Sequence, residues 1–128
     1  MFINYNLRVF GPRVRDYSQK INKKLKSIAR KSALSIKARS NSIFVVEEFS
    51  FDKPTTKGLN KFLKQLKIDT KNSLVIFAEE NKNVYLSSRN LKKTETVIAC
   101  ELNTYLISKA QNLVFFENSI SKLENILI

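Results

Sequence analysis

The run Leu74-Val75-Ile76-Phe77-Ala78 decides the fold. It is of strand length, rich in β-branched and aromatic residues, and continuously apolar rather than alternating, the pattern of a strand covered on both faces. Three more runs of this kind, Ile43–Val46, Thr96–Ala99 and Leu113–Phe116, lie at intervals of about 20–30 residues. Between them the apolar period changes to that of a helix. Leu59, Phe62, Leu63 and Leu66 share one face, as do Leu102, Tyr105, Leu106 and Ala110, and then Ile120, Leu123 and Leu127. Pro54 and Thr55 mark the start of the first of these helices. Buried strands alternating with helices predict an α/β fold: a single domain with an about four-stranded parallel sheet, alternating helices and right-handed crossovers. The segment Met1–Phe10 either adds an edge strand or lies apart from the sheet.

Upstream of the first strand, the pattern from Asp16 onward predicts a long basic amphipathic helix, with Asp16 at its start as cap or first-turn acid. Tyr17, Ile21, Leu25, Ile28, Ser32 and Ile36 recur at three- and four-residue steps and are expected to face the core. Lys20, Lys23, Lys24, Arg30, Lys31 and Lys37 fall roughly opposite, as a rail facing an anion. The expected division is a basic N-terminal segment, 1–15, containing the Gly11-Pro12 turn, and an α/β globular domain, 16–128.

The chain has 128 residues, 23 Lys+Arg, 11 Asp+Glu and no His, a formal charge of +12. An apolar content of 43% is far above that of a disordered basic tail. One Cys excludes a disulfide framework and a Cys-rich zinc site, and the absence of His removes the commonest general base and zinc ligand. Gly11 and Gly58 are the two glycines, too few for a phosphate-cradling Gly-rich loop. No apolar run reaches the length of a membrane span and no signal-peptide pattern opens the chain. These features predict a soluble intracellular protein. Lys, Asn and Ile are frequent, as in A/T-rich genomes, so the distribution of charge says more than the total. Residues 1–42 hold eleven basic residues against Asp16, a net +10, and residues 43–128 carry +2. Such a concentration repels itself in a compact state and calls for an anionic partner. Nucleic acid is the commonest, with an anionic membrane surface as competitor.

The candidate phosphate contacts are Arg8, Arg13 and Arg15 around the Gly11-Pro12 bend, where guanidinium groups match phosphate oxygens bidentately, and the helix rail. Ser87, Ser88, Arg89 and Asn90 are expected to open a short helix whose N–H groups, hydroxyl and guanidinium attract an anion. Lys92 and Lys93 extend that patch or are plain surface lysines. Asn103-Thr104-Tyr105 is expected to cap the next helix and bury Tyr105, and Cys100 to be a small packing residue. Phe44, Phe49, Phe51, Phe62, Phe77, Phe115 and Phe116 are assigned to packing rather than base stacking. The carboxylates Glu47, Glu48, Asp52, Glu79 and Glu80 close the first two strands. They open the alternative of a metal-dependent nucleic-acid-processing enzyme, with Glu47, Asp52 and Glu79 as ligands.

The stretch Phe10-Gly11-Pro12-Arg13-Val14-Arg15-Asp16-Tyr17, then Lys20, Asn22-Lys23-Lys24 and Ala29-Arg30-Lys31-Ser32-Ala33-Leu34-Ser35, resembles the large-subunit ribosomal protein four family of bacterial type. Val45-Val46-Glu47 with Phe49, then Pro54-Thr55-Thr56-Lys57, Asn83-Val84-Tyr85-Leu86-Ser87-Ser88-Arg89-Asn90-Leu91 and Leu102-Asn103-Thr104-Tyr105 resemble further family segments in the same order. The resemblance implies an α/β domain seated on large-subunit rRNA beside neighbouring ribosomal proteins, supporting RNA folding and assembly. It also implies a cytoplasmic ribosome or an organelle one, and no catalysis, cofactor, metal, membrane or small-molecule substrate. Ten residues ahead of Gly11 reach only about 35 Å when extended. That is too short for the strand, helix and long basic loop that the family carries there, so the loop's tunnel-lining role is not expected of these residues.

Overall fold

The computed structural model describes residues 9–128. Among them β1 (Ile43–Val46), β2 (Ser73–Phe77), β3 (Thr94–Ile98) and β4 (Asn112–Phe116) form one sheet in the order β1-β4-β2-β3, with every neighbouring pair parallel. Helix α1 (Lys23–Arg39) precedes β1, and α2 (Thr56–Gln65), α3 (Lys82–Ser88) and α4 (Thr104–Lys109) make the three crossovers. A short 3-10 turn, Ala99–Glu101, follows β3, and α5 (Glu117–Leu127) follows β4. The expected α/β architecture is therefore present, with strand limits moved by one or two residues. β3 starts at Thr94 because parallel pairing with Ser73 carries the ladder into polar residues. Val9 and Phe10 are exposed and outside the sheet, whereas residues 1–8, Arg8 included, lie outside the described residues.

The central strands explain why the sheet forms. Every residue of β2 and β4 is buried, and their side chains alternate between two apolar layers. Leu74, Ile76, Leu113 and Phe115 pack with Leu102, Ile107, Ala110 and Leu123, against which Ala33 and Leu34 of α1 and Ile120 of α5 are laid. Val75, Phe77, Val114 and Phe116 pack on the other face with Leu59, Leu63, Ile68 and Val84. The phenylalanines finish that second layer. The Phe49 ring lies 4.7 Å from Phe62 and 5.1 Å from Phe116, and Phe77 stacks on Phe116 at 4.6 Å between centroids. Gly58 lets the first turn of α2 approach this cluster, since a Cβ there would sit 3.1 Å from the Phe51 ring and 2.8 Å from Thr55 Oγ1.

Local chemistry sets the helix ends. The side chains of Asn81 and Asn103 cap α3 and α4 by accepting from the amides of Val84 and Leu106. The expected cap at Asn103 is present, but Tyr105 is 70% exposed and Ile107 is the buried residue of α4. Cys100 is also exposed, while its neighbour Ala99 is buried in the 3-10 turn. Helices α1 and α2 end alike. The amide of Ser42 reaches the carbonyl of Lys37 and that of Asn41 reaches Ala38; Ile68 and Lys67 repeat this with Leu63 and Lys64. Both endings are Schellman motifs, with Asn41 (φ 51°) and Lys67 (φ 58°) in the left-handed position that glycine favours. For a lysine that backbone costs roughly 1 kcal/mol. Lys67→Gly is accordingly expected to raise the unfolding free energy by about 0.5–1 kcal/mol. Equilibrium urea denaturation measures it, and an unchanged or lowered midpoint would contradict this account of the α2 terminus.

Candidate nucleic-acid interface

Residues 9–22 contain no helix. The helix expected from Asp16 starts instead at Lys23, with Asn22 at its N-cap. Asp16 makes a local turn: its carboxylate accepts from the Ser18 amide at 2.8 Å and from the Ser18 hydroxyl at 2.7 Å. These two bonds hold its carboxyl below the ordinary value. They also satisfy its oxygens locally and leave it no part in starting α1. Around the Gly11-Pro12 bend the arginines rest on aromatic rings. The Arg13 guanidinium carbon lies 6.0 Å from the Phe10 centroid and that of Arg15 lies 4.8 Å from the Tyr17 centroid, with Arg15 Nε donating to the Tyr17 hydroxyl. Both arginines are exposed, and their terminal N–H donors remain available to phosphate oxygens.

Helix α1 is turned over relative to the expectation. Leu25, Ile28 and Ile36 are exposed by 56%, 61% and 61%, and Tyr17 and Ile21, ahead of the helix, are exposed too. The side that meets the domain is built from Ala33 and Leu34, with the Ser27 hydroxyl donating to the carbonyl of Leu127. At about 100° per residue Leu34 and Ser27 lie roughly opposite the Leu25–Ile36 stripe, and Ala33 lies on its flank. Small side chains let α1 come close to α4 and α5, and one long cation completes the contact: Lys37 Nζ donates to the Ala110 carbonyl at 2.5 Å. The expected rail is thus divided. Lys23, Lys24 and Lys31 are exposed on α1 and Lys20 is exposed ahead of it, while Arg30 and Lys37 are half-buried on the domain side. Lys26 and Arg39, absent from the expected rail, are exposed as well. Their signal lies in the charge excess, and a helical wheel oriented by the larger apolar residues places them off the rail.

Ser87, Ser88, Arg89 and Asn90 do not open a helix. They close α3, so the free N–H groups expected beside them are absent. Both serines are buried and bonded internally. Ser87 Oγ donates to the Asn83 carbonyl at 2.6 Å and accepts from the Thr55 amide at 2.9 Å, while Ser88 Oγ donates to the Tyr85 carbonyl at 2.8 Å. Arg89 and Asn90 remain exposed. The family-like segment Asn83–Leu91 therefore ties α3 to the start of α2 rather than presenting hydroxyls to a ligand.

A model of the ribosomal protein L4/L1 family matches residues 7–126, nearly the whole chain. The chain belongs to that family. Curated relatives are the large ribosomal subunit proteins uL4 of Christiangramia forsetii, 54% identical over 92% of this chain, and of Phocaeicola vulgatus, 52% identical over 94%. That of Flavobacterium johnsoniae is 53% identical over 91% of this chain. The chain spans 56–58% of the length of these relatives. The likeness of the Phe10–Tyr17 segment and its successors to the family is borne out over this length.

The carboxylates at the strand ends do not gather as metal ligands. Among the described residues no three His, Cys, Asp or Glu side chains come together in a metal-holding group. Glu48 accepts from the Asn118 amide, and Glu79 pairs with Lys122 at 2.9 Å while the same ammonium reaches the Ala78 carbonyl at 3.2 Å. No helix among the described residues is long and apolar enough to cross a membrane. The bond from Lys122, followed by its charge, holds the Glu79 carboxyl below its ordinary value. A lowered folded-state value means that the pair stabilises the fold at neutral pH and ceases to do so as pH falls through that lowered value. Lys122→Met is expected to return the Glu79 titration, followed by NMR of its side-chain carbonyl carbon, upward to the ordinary glutamate midpoint. An unmoved midpoint would mean that the ion pair does not form in solution.

Proposed function

We propose that this chain is the rRNA-binding globular part of a structural protein of a bacterial-type large ribosomal subunit, and that it supports rRNA folding and assembly without catalysing a reaction. One observation carries the reading. Of the excess of ten positive charges over residues 1–42, all that lies from Val9 onward except Arg30 and Lys37 sits on exposed loop and helix at the margin of a well-packed α/β domain. Family membership supplies the RNA: the relatives are named as large-subunit proteins.

The binding mechanism is electrostatic positioning. Arg13, Arg15, Lys20, Lys23, Lys24 and Lys31 contact phosphates, with Arg89 and Asn90 as a further contact at the end of α3. Each phosphate neutralised releases condensed counterions, which supplies salt-dependent affinity without reading bases. Lys24 and Lys31 lie seven residues apart on a rigid helix, about 10 Å along its axis, so the spacing of the charges is set before RNA arrives. The partners are rRNA and neighbouring ribosomal proteins, and the place of action is the ribosome. This role needs no cofactor, membrane or small-molecule substrate, and among the described residues no arrangement of side chains favours the metal-dependent enzyme.

Binding to large-subunit rRNA and to unrelated RNA of equal length, across a salt series, tests the proposal. The expected result is a steep slope, several ions released, with a preference for the rRNA that persists at high salt. Equal binding to both RNAs would reduce the protein to a generic polyanion binder and reject the reading. Reversing charge with Lys24→Glu and Lys31→Glu is expected to weaken rRNA binding about ten-fold or more while leaving the far-ultraviolet circular dichroism unchanged, since both side chains are exposed. Undiminished affinity would place α1 away from the RNA.

A further inference from the structure

The sheet sorts the remaining charge by strand direction. Six of the acidic residues after Ser42 follow the carboxyl ends of strands: Glu47 and Glu48 after β1, Glu79 and Glu80 after β2, Glu101 after β3 and Glu117 after β4. The loops that lead into β2 and β3 carry Lys67, Lys71, Arg89, Lys92 and Lys93, and Lys109 ends α4 ahead of β4, with Asp69 among them and Glu95 just inside β3. All four strands are parallel, so one end of the sheet is basic and the other acidic. The nearly neutral sum of residues 43–128 hides this polarity.

Part of the basic end has a structural use. Helix carboxyl termini converge there, and cations suit them. Lys93 Nζ donates to the Thr70 carbonyl at 2.8 Å, Lys109 pairs with Glu95, and Lys37 holds the Ala110 carbonyl. Lys67, Lys71 and Lys92 are different. They are exposed and their ammonium groups donate to no other described residue. Lys67 moreover occupies a left-handed backbone position where glycine would be more stable. Between these loops a cleft of about 100 Å³ is lined by Asn72, Ser73, Lys92, Lys93, Glu95 and Lys109.

We infer that the amino end of the sheet, through Lys67, Lys71 and Lys92, is a second phosphate-binding surface that engages a different stretch of RNA from the one held by Arg13, Arg15 and the start of α1. The inference rests on the RNA-binding reading above. Helix α1 runs between the two surfaces: from Lys31, the last of its lysines in the first surface, to Arg39, which enters the basic end, its axis covers about 12 Å. That exceeds the Debye length of roughly 8 Å at physiological salt, so the surfaces act as separate sites and not as one field. A rigid protein with two such sites fixes the distance between two RNA segments, while the acidic end of the sheet is turned away from phosphate.

Lysine acetylation of the full chain, followed by mass spectrometry with and without large-subunit rRNA, tests this. Lys67, Lys71 and Lys92 are expected to react about five-fold or more slowly in the complex, as are Lys24 and Lys31, while Lys57 and Lys82 near the acidic end keep their free rates. The triple variant Lys67→Gly, Lys71→Gln, Lys92→Gln is expected to lower the salt slope of rRNA binding by about two to three. Its first substitution favours the fold, so a loss of binding is not a loss of structure. Protection of Lys24 and Lys31 without Lys67, Lys71 and Lys92, and an unchanged slope in the variant, would overturn the second surface and leave the RNA-binding reading intact. Absence of rRNA binding by the unsubstituted chain would overturn both.

Discussion

Burial of β2 and β4 on both faces is the constraint from which the rest of the structure follows. Ten consecutive-strand residues, from Ser73 to Phe77 and from Asn112 to Phe116, have no access to solvent worth the name. A sheet with such central strands must be covered by helices on both sides, and parallel neighbours must be joined by crossovers. The helices between strands therefore return against the strand direction, and their carboxyl ends collect where the strands begin. The Schellman endings of α1 and α2 lie at that end, and the caps Asn81 and Asn103 belong to the other.

This geometry gives an RNA-binding protein a firm body from which to hold charge. Lysines on a free chain lose conformational entropy when they bind, whereas lysines on a docked helix or a short hydrogen-bonded turn have lost much of it already. The aromatic seats of Arg13 and Arg15 do the same for the irregular segment. Helix α1 is held by modest means: Ala33, Leu34, the Ser27 hydroxyl and the Lys37 ammonium. Its Leu25, Ile28 and Ile36 stripe is mostly exposed, so of its large apolar residues Leu34 is the one laid on the core.

The four strands were legible because each is a short run rich in β-branched and aromatic residues that stands out from its surroundings, although burial on both faces holds for β2 and β4 and not for the half-buried edge strands β1 and β3. Helices α2 and α5 were legible for the complementary reason, a clear apolar face against polar neighbours. Helix α3 was not. Its serines look like an N-terminal anion site, but hydroxyls satisfy the carbonyls of a preceding turn equally well, and Ser87 and Ser88 are used that way. Asp16 failed similarly, since the acid that caps a helix also closes a local turn with Ser18.

Sequence alone determined the family, the α/β class, the four strands and the concentration of positive charge ahead of β1, because composition and apolar period are properties of the chain whatever it packs against. Tertiary structure decided which side of α1 meets the domain, where Ser87 and Ser88 spend their hydrogen bonds, and that acids and bases part to opposite ends of the sheet. Periodicity places residues on a common face without saying what that face touches. The sign of charge at each end of a sheet depends on strand direction, which exists only once the strands are paired.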